Sequence, residues 1–337
     1  MAEIALPEVI ARQRPLVEAA LRAAIGDAPA RIDAAARYVM GWEATNGARA
    51  TATGKRIRPA LELVAAEAVG GRAEDGLPGA VAIELIHNFS LVHDEIQDQD
   101  AERHGRPTAY TIWGPAQAIN LGDYLYARAI HALANGPVPA ERRVAALDAL
   151  LRAIEGMIRG QWRDLEFESA ESVTVDDYLA MVEGKTGVLL GAALEMGALL
   201  GGAPRPTAST LGQWGTRLGL AFQVIDDYLG TWGDQALTGK STTGDIARKK
   251  KTLPVVHGLH DPVAGPLIRA AFDADRQVAE LPAIVAALER AGAPDLCRAL
   301  ARRFADEADA LLDSLDLSRE ARDGLRRVGD YFVDRTF

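Results

Sequence analysis

Asp94, Glu95 and Asp98 lie within two turns of one another at the end of an apolar run, Ala80 to Val92. Apolar residues recur there at helical spacing (Ala82, Leu85, Ile86, Phe89, Val92, Ile96), which predicts a helix over 78–98. On such a helix Asp94 and Asp98 share a face, and Glu95 is turned by about 100° yet stays near enough to join them. No Lys or Arg at helical spacing neutralises the three. They repel one another unless water screens them or a cation sits among them. Hard divalent cations such as Mg²⁺ take carboxylate oxygens and often share their shell with phosphates. Alone, the motif reads more readily as a solvated acidic helix end, so the cation reading needs a second acidic cluster and cations to meet a phosphate.

Both are present. Asp226 and Asp227 follow the apolar stretch Gly219 to Ile225 in a helix predicted over 207–232. Lys55-Arg56-Ile57-Arg58 opens a helix running to about Val69. Cations at a helix start oppose the macrodipole, so three of them there invite a polyanion; an exposed basic turn is the alternative. His87 stands seven residues before Asp94 on the same face, where a satisfied core histidine is the common case. The loop after Asp98 returns Arg103, His104 and Arg106 towards the acids. Lys185-Thr186 joins two helices, and a basic run, Arg248 to Lys251, follows the second acidic pair. Gly184-Lys185-Thr186 resembles the end of a phosphate-binding P-loop, but Leu179 stands where its first glycine belongs and no buried strand precedes it.

The elements that must position these groups are helical almost throughout. Helices are predicted over 5–26 with a kink at Pro15, over 30–45 ending at Asn46-Gly47, and over 116–134, 140–167, 176–182 and 187–201. Four more follow Pro262, broken near Leu281-Pro282, Gly292-Ala293-Pro294 and Asp316. No sustained strand alternation occurs, so the fold class is all-α, and length alone allows one large domain or two. The chain has 337 residues, 48% hydrophobic and 25% charged, which is ample for a core. A net charge of −10 without a basic stripe argues against nucleic acid. Cys297 is the only cysteine, so neither a disulfide framework nor a cysteine zinc site is available, and it reads as a small buried residue. The apolar run from Gly187 carries Glu195 and is too short for a membrane span, and the N-terminus lacks a signal-peptide pattern, so a soluble, cytoplasmic protein is expected. Acids on facing helices can hold Mg²⁺ against a diphosphate while Lys and Arg neutralise the rest. Phe89, Leu85, Ile86, Phe222 and Ile225 would wall a water-poor pocket suited to a hydrocarbon tail and a carbocation.

Taken in order, these motifs resemble the trans-isoprenyl diphosphate synthases of the polyprenyl synthetase family, from about Lys55 to Pro254 and more weakly to Asp334-Arg335. The matching set also includes Gly160-Gln161 with Asp164, Phe222-Gln223, and Gly239-Lys240 to Asp245. The resemblance implies an enzyme that ionises an allylic diphosphate, lets isopentenyl diphosphate attack it, and loses a proton. It implies Asp94, Asp98, Asp226 and Asp227 as ligands of three Mg²⁺ ions. Arg103, Lys185, Lys240 and Lys250 are implied for the allylic diphosphate, and Lys55, Arg58 and His87 for isopentenyl diphosphate. Thr186 and Gln223, with Lys185, would line the place where the allylic cation forms. A homodimer is implied as well, and so is one domain over 1–337, folded as an all-α helical bundle around a central cavity.

Three positions depart from the family's pattern: Glu95 and Gly230 stand where aspartates are usual, and His104 where a second arginine is usual, with Arg106 two residues on as a candidate substitute. Lys249 and Lys251 flank Lys250, which leaves open which lysine faces inward. Phe89, five residues before Asp94, is large and sets an expectation of about fifteen to twenty carbons in the product, geranylgeranyl diphosphate ahead of farnesyl. The alternatives are a terpene cyclase on the same fold, which would not need Lys55, Arg58 and His87, and a non-catalytic partner subunit.

Overall fold

A computed structural model describes residues 6–50, 54–103, 105–233, 244–273 and 281–333. Lys240, His104 and Asp334-Arg335 lie outside the described residues. The first eleven helices are α1 Glu8–Ala11, α2 Arg14–Ile25, α3 Arg31–Val39, α4 Ile57–Ala68, α5 Leu77–Gln97, α6 Ala109–Trp113, α7 Pro115–Ala134, α8 Ala140–Ser169, α9 Val175–Val182, α10 Val188–Gly201 and α11 Arg205–Trp232. Among the described residues the only named strands are β1 Glu102–Arg103 and β2 Arg106–Pro107, which pair antiparallel as a hairpin after α5.

The single helix expected over 5–26, kinked at Pro15, is instead two helices, α1 and α2, and Pro15 sits in the first turn of α2, where its missing N–H leaves nothing unpaired. The helix expected to run to residue 45 stops instead at Val39, because Gly41 takes a left-handed φ of 81° and turns the chain into a loop closed by a bridge between Glu43 and Arg49. The four helices after Pro262 break where the sequence indicates: Ala264–Asp273, Leu281–Arg290, Ala293–Ser314 and Arg319–Val333.

The bundle is built around α10. Its residues are apolar nearly all the way round, as a helix with no solvent face requires, and it packs against α4, α5, α8 and α11. Leu194, Met196, Leu200, Leu85 and Ile86 are fully buried there, each contributing roughly 1.5–3 kcal/mol by leaving water. Within this core lies Glu62 of α4, with neither side-chain oxygen hydrogen-bonded. Gly79 of α5 makes room for it: a Cβ there would lie 1.6 Å from Glu62 Oε1. Burial pushes the Glu62 carboxyl well above the usual range. A second apolar cluster joins α9, α11 and Ala293–Ser314 through Tyr178, Met181, Val224, Cys297 and Phe304, and Cys297 is fully buried in it. Among the described residues no helix is long and apolar enough to cross a membrane.

Candidate active site

The cationic end of the site forms where α4 begins. Arg56 caps that helix in the left-handed region, φ 53°, which is costly for a residue with a Cβ. It is held there by burial and by three anchors. Nη1 donates to Glu84 Oε1 at 2.6 Å, Nη2 to the Met40 carbonyl at 2.6 Å, and Nε to Glu18 Oε2 at 3.3 Å. Of the three cations expected to face a ligand, Arg56 therefore faces the protein. Lys55 is exposed, and Arg58 lies within a cleft of about 640 Å³ that His87, Arg103 and Arg106 also line. Arg58 Nη1 lies 3.3 Å from His87 Nε2. Burial, with Arg58, Arg103 and Arg56 nearby, holds the His87 imidazole well below its usual pKa, so it stays neutral and accepts from Arg58. Burial likewise lowers the pKa of Arg58, an effect Glu84 opposes.

At the end of α5 the expected trio of carboxylates divides. Glu95 is buried on the hairpin side and accepts from Arg103 Nε at 2.8 Å, so it does not join Asp94 and Asp98. The 100° turn between adjacent helical residues is enough to give it a different partner. Asp94 and Asp98 are half-buried near Lys185. Burial pushes the Asp94 carboxyl up to about 6, against the pull of Lys185 and with a further push from Asp98. A desolvated carboxylate beside another, neither hydrogen-bonded through its side chain among the described residues, is an oxygen donor set that suits a hard cation such as Mg²⁺. In this conformation no three acid, histidine or cysteine side chains of the described residues are gathered closely enough to hold an ion by themselves.

Lys185 stands in a wide π-helical turn, Glu183–Gly187, of the kind that often marks functional sites. Its Nζ donates to Asp164 Oδ2 at 2.5 Å. Burial pulls the ammonium's pKa down, and Asp164, Asp94 and Asp98 more than offset this, holding it above the usual lysine value. The turn reaches α8 because Gly160 has no Cβ; one built there would stand 2.3 Å from the Lys185 nitrogen. Next in the turn, Thr186 Oγ1 lies 3.5 Å from Gln223 Oε1 on α11, which links the two acidic helix ends.

On α11 the acidic pair also divides. Asp227 is buried. Its Oδ1 accepts from Gln223 Nε2 at 3.0 Å, and its Oδ2 accepts from the Tyr178 hydroxyl and from the Leu253 backbone N–H at 3.0 Å. Burial pushes this carboxyl up to about 6 although those hydrogen bonds pull it down. Asp226, half-buried, lies on the other side of the helix ridge. The lysine run divides similarly: Lys251 Nζ donates to the carbonyls of Phe167 and Ala170, capping the end of α8, while Lys250 is exposed. Leu85, Ile86 and Ile225, expected to wall an apolar pocket, lie within the packed core; Phe89 packs on His93 and Tyr126, and Phe222 on Phe332. Leu91 and Val92 supply apolar surface in the cleft. Sequence reasoning assigned no role to Asp164 or Tyr178. The glycines at 160 and 184 signal the first through the close approach they permit; nothing in the sequence signals the second.

A helical bundle with acids at two linked helix ends and a cationic cleft beside one of them is the isoprenoid-synthase fold. The polyprenyl synthetase family model matches residues 44–288. The farnesyl diphosphate synthase of Mycobacterium tuberculosis is 40% identical over 305 residues, covering 88% of this chain and 84% of that protein. The crystal structure of a polyprenyl synthetase from Streptomyces coelicolor superposes with a TM-score of 0.91 at 39% identity, over 96% of this chain and 98% of that one. The geranylgeranyl pyrophosphate synthase of Corynebacterium glutamicum, solved with isoprenyl diphosphate and magnesium, superposes with a TM-score of 0.82 at 25% identity, over 98% of this chain and 100% of that one. The chain belongs to the polyprenyl synthetase family.

Proposed function

We propose that this protein is a chain-elongating trans-prenyltransferase that condenses isopentenyl diphosphate with an allylic diphosphate. The observation that carries the reading is the cationic cleft of Lys55, Arg58 and His87 beside the Asp94/Asp98 helix end, joined to it by the Arg103–Glu95 pair. A cyclase, which takes one diphosphate, has no use for that cleft, and a subunit without catalysis has no use for two half-buried acids beside a half-buried lysine.

Asp94, Asp98 and Asp226 are the residues that would hold Mg²⁺, three ions on the family's precedent. Bound there, the metal would supply Lewis-acid stabilisation of the departing diphosphate. Lys185 and Arg103, with Lys240 and Lys250, neutralise that diphosphate. Thr186 and Gln223 present oxygens to the positive charge left on the allylic carbon. Asp227 acts one step back, orienting Gln223 and the start of helix Leu253–Leu259. Products of about fifteen to twenty carbons, with geranylgeranyl diphosphate ahead, fit the bulk of Phe89 stacked edge-on against Tyr126, ring centroids 5.5 Å apart. We assign the protein to the cytoplasm, consistent with its composition.

The partner is a second copy of this chain. Val144, Leu151 and Ile158 repeat every seven residues along α8 and Trp162 follows, 64%, 39%, 51% and 67% exposed. Charged neighbours pair within the helix, Arg152 with Asp148 and Arg159 with Glu155, which leaves the apolar stripe clear for a self-complementary contact.

The deciding experiment incubates purified protein with Mg²⁺, isopentenyl diphosphate and allylic primers of five, ten and fifteen carbons. Linear prenyl alcohols after phosphatase treatment support the reading, and Asp94→Ala should abolish them. Cyclic hydrocarbons from an allylic diphosphate alone, or no turnover with any primer, would overturn it.

A further inference from the structure

Five cationic side chains, Lys55, Arg56, Arg58, Arg103 and Arg106, line the cleft with two carboxylates, Glu84 and Glu95. Arg56 is committed to Glu84 and Arg103 to Glu95. Glu18 also reaches Arg56, at 3.3 Å, yet the cations of the cleft still outnumber the carboxylates that meet them, which suits a polyanion such as a diphosphate, and Arg106 is one of those cations. Among the described residues Arg106 has no carboxylate partner. It is held by other means. Its guanidinium lies 4.1 Å from the centroid of the buried Tyr38 ring, and Nη2 donates to the Glu43 carbonyl at 2.8 Å. The Tyr38 hydroxyl donates to the carbonyl of Pro107, the next residue, at 2.7 Å. Arg106 also faces Arg103 directly across the hairpin, so their side chains share one face of the ladder.

Two cationic side chains on one face of a hairpin repel each other. The fold spends an aromatic ring, a carbonyl and a strand pairing on keeping the second one in the cleft. A stacked, preorganised guanidinium retains N–H groups for a phosphate oxygen and loses little freedom when it binds one. We propose that Arg106, presented by Tyr38, is a binding residue for the diphosphate of the homoallylic substrate, alongside Lys55 and Arg58. The assignment rests on the reading of this cleft as the isopentenyl diphosphate site.

The test compares Arg106→Gln, Arg106→Lys and Lys55→Ala in steady-state kinetics, each substrate varied in turn with Mg²⁺ saturating, with the thermal midpoint of each variant recorded. Arg106→Gln should raise KM for isopentenyl diphosphate on the order of ten- to a hundredfold, the usual cost of a charged hydrogen bond to phosphate. KM for the allylic substrate and the thermal midpoint should stay near wild type, and Arg106→Lys should recover part of the loss. An unchanged KM in Arg106→Gln while Lys55→Ala raises it overturns the role of Arg106 and leaves the cleft assignment intact. A parallel rise in both KM values with a lower thermal midpoint reduces Arg106 to a structural residue. Should Lys55→Ala leave KM unaltered, the cleft assignment fails and the proposal goes with it.

Discussion

Adjacent acids in this molecule do different work, and their neighbours decide which. Asp226 and Asp227 differ by one position, yet Asp227 has both oxygens taken by Tyr178, Gln223 and Leu253. Asp227→Ala strands those donors in the core and should lower stability by about 1–3 kcal/mol, measured by denaturant unfolding, while Asp226→Ala should abolish turnover. If Asp227→Ala proved as stable as wild type, its anchoring role would be wrong. Glu62 presents the opposite case, a carboxyl with no partner. Its folded pKa is raised by burial, so its contribution is most favourable below the unfolded value near 4.5 and worsens as pH rises towards the folded value. Glu62→Met should therefore stabilise the protein by about 1–3 kcal/mol at pH 8 and by less at pH 5, read as thermal midpoints at the two pH values. A gain that does not depend on pH would mean that packing, not titration, sets the cost.

At the scale of elements, the closeness of α5 and α7 bears on product length. Phe89 and Tyr126 close the gap between these helices, edge to face. Phe89→Ala leaves a cavity beside Tyr126 that a growing chain can enter, so the product distribution, read by chromatography of dephosphorylated prenyl alcohols, should move to longer chains. An unchanged distribution would make Phe89 a packing residue only. The elements were mostly legible in advance because apolar residues at 3.6-residue spacing fix helices almost regardless of context. The end of α3 was not, since Gly41 had to be weighed against a pattern that continued past it. The motif residues were legible as a set, but their directions were not: one residue of helical rotation separates Asp94 from Glu95 and Asp226 from Asp227, and two residues separate Arg56 from Arg58. Which member of each pair meets solvent depends on partners far along the chain, such as Met40, Tyr178 and Leu253. The role of Lys251 was hidden for the same reason, because its acceptors are carbonyls at the end of a helix some eighty residues earlier.

For the whole molecule, four of the exposed large apolar side chains among the described residues lie along α8. A charge among them, Ile158→Glu, should convert a dimer to a monomer in sedimentation or light scattering, with the helical content unchanged. A wild-type protein that sediments as a monomer would remove the second copy from the proposal. Within each copy, the lone thiol of Cys297 has a further use. Enclosed by α9, α11 and Ala293–Ser314, and with burial pushing its pKa up, it gives an attacking reagent neither access nor thiolate. Because this chain has one cysteine, every thiol-labelling event reports one place. The labelling rate under native conditions is then a clock for how often the packing behind Asp227 comes apart, and ligands that tighten the acidic helix ends should slow it, with no change to the protein's sequence.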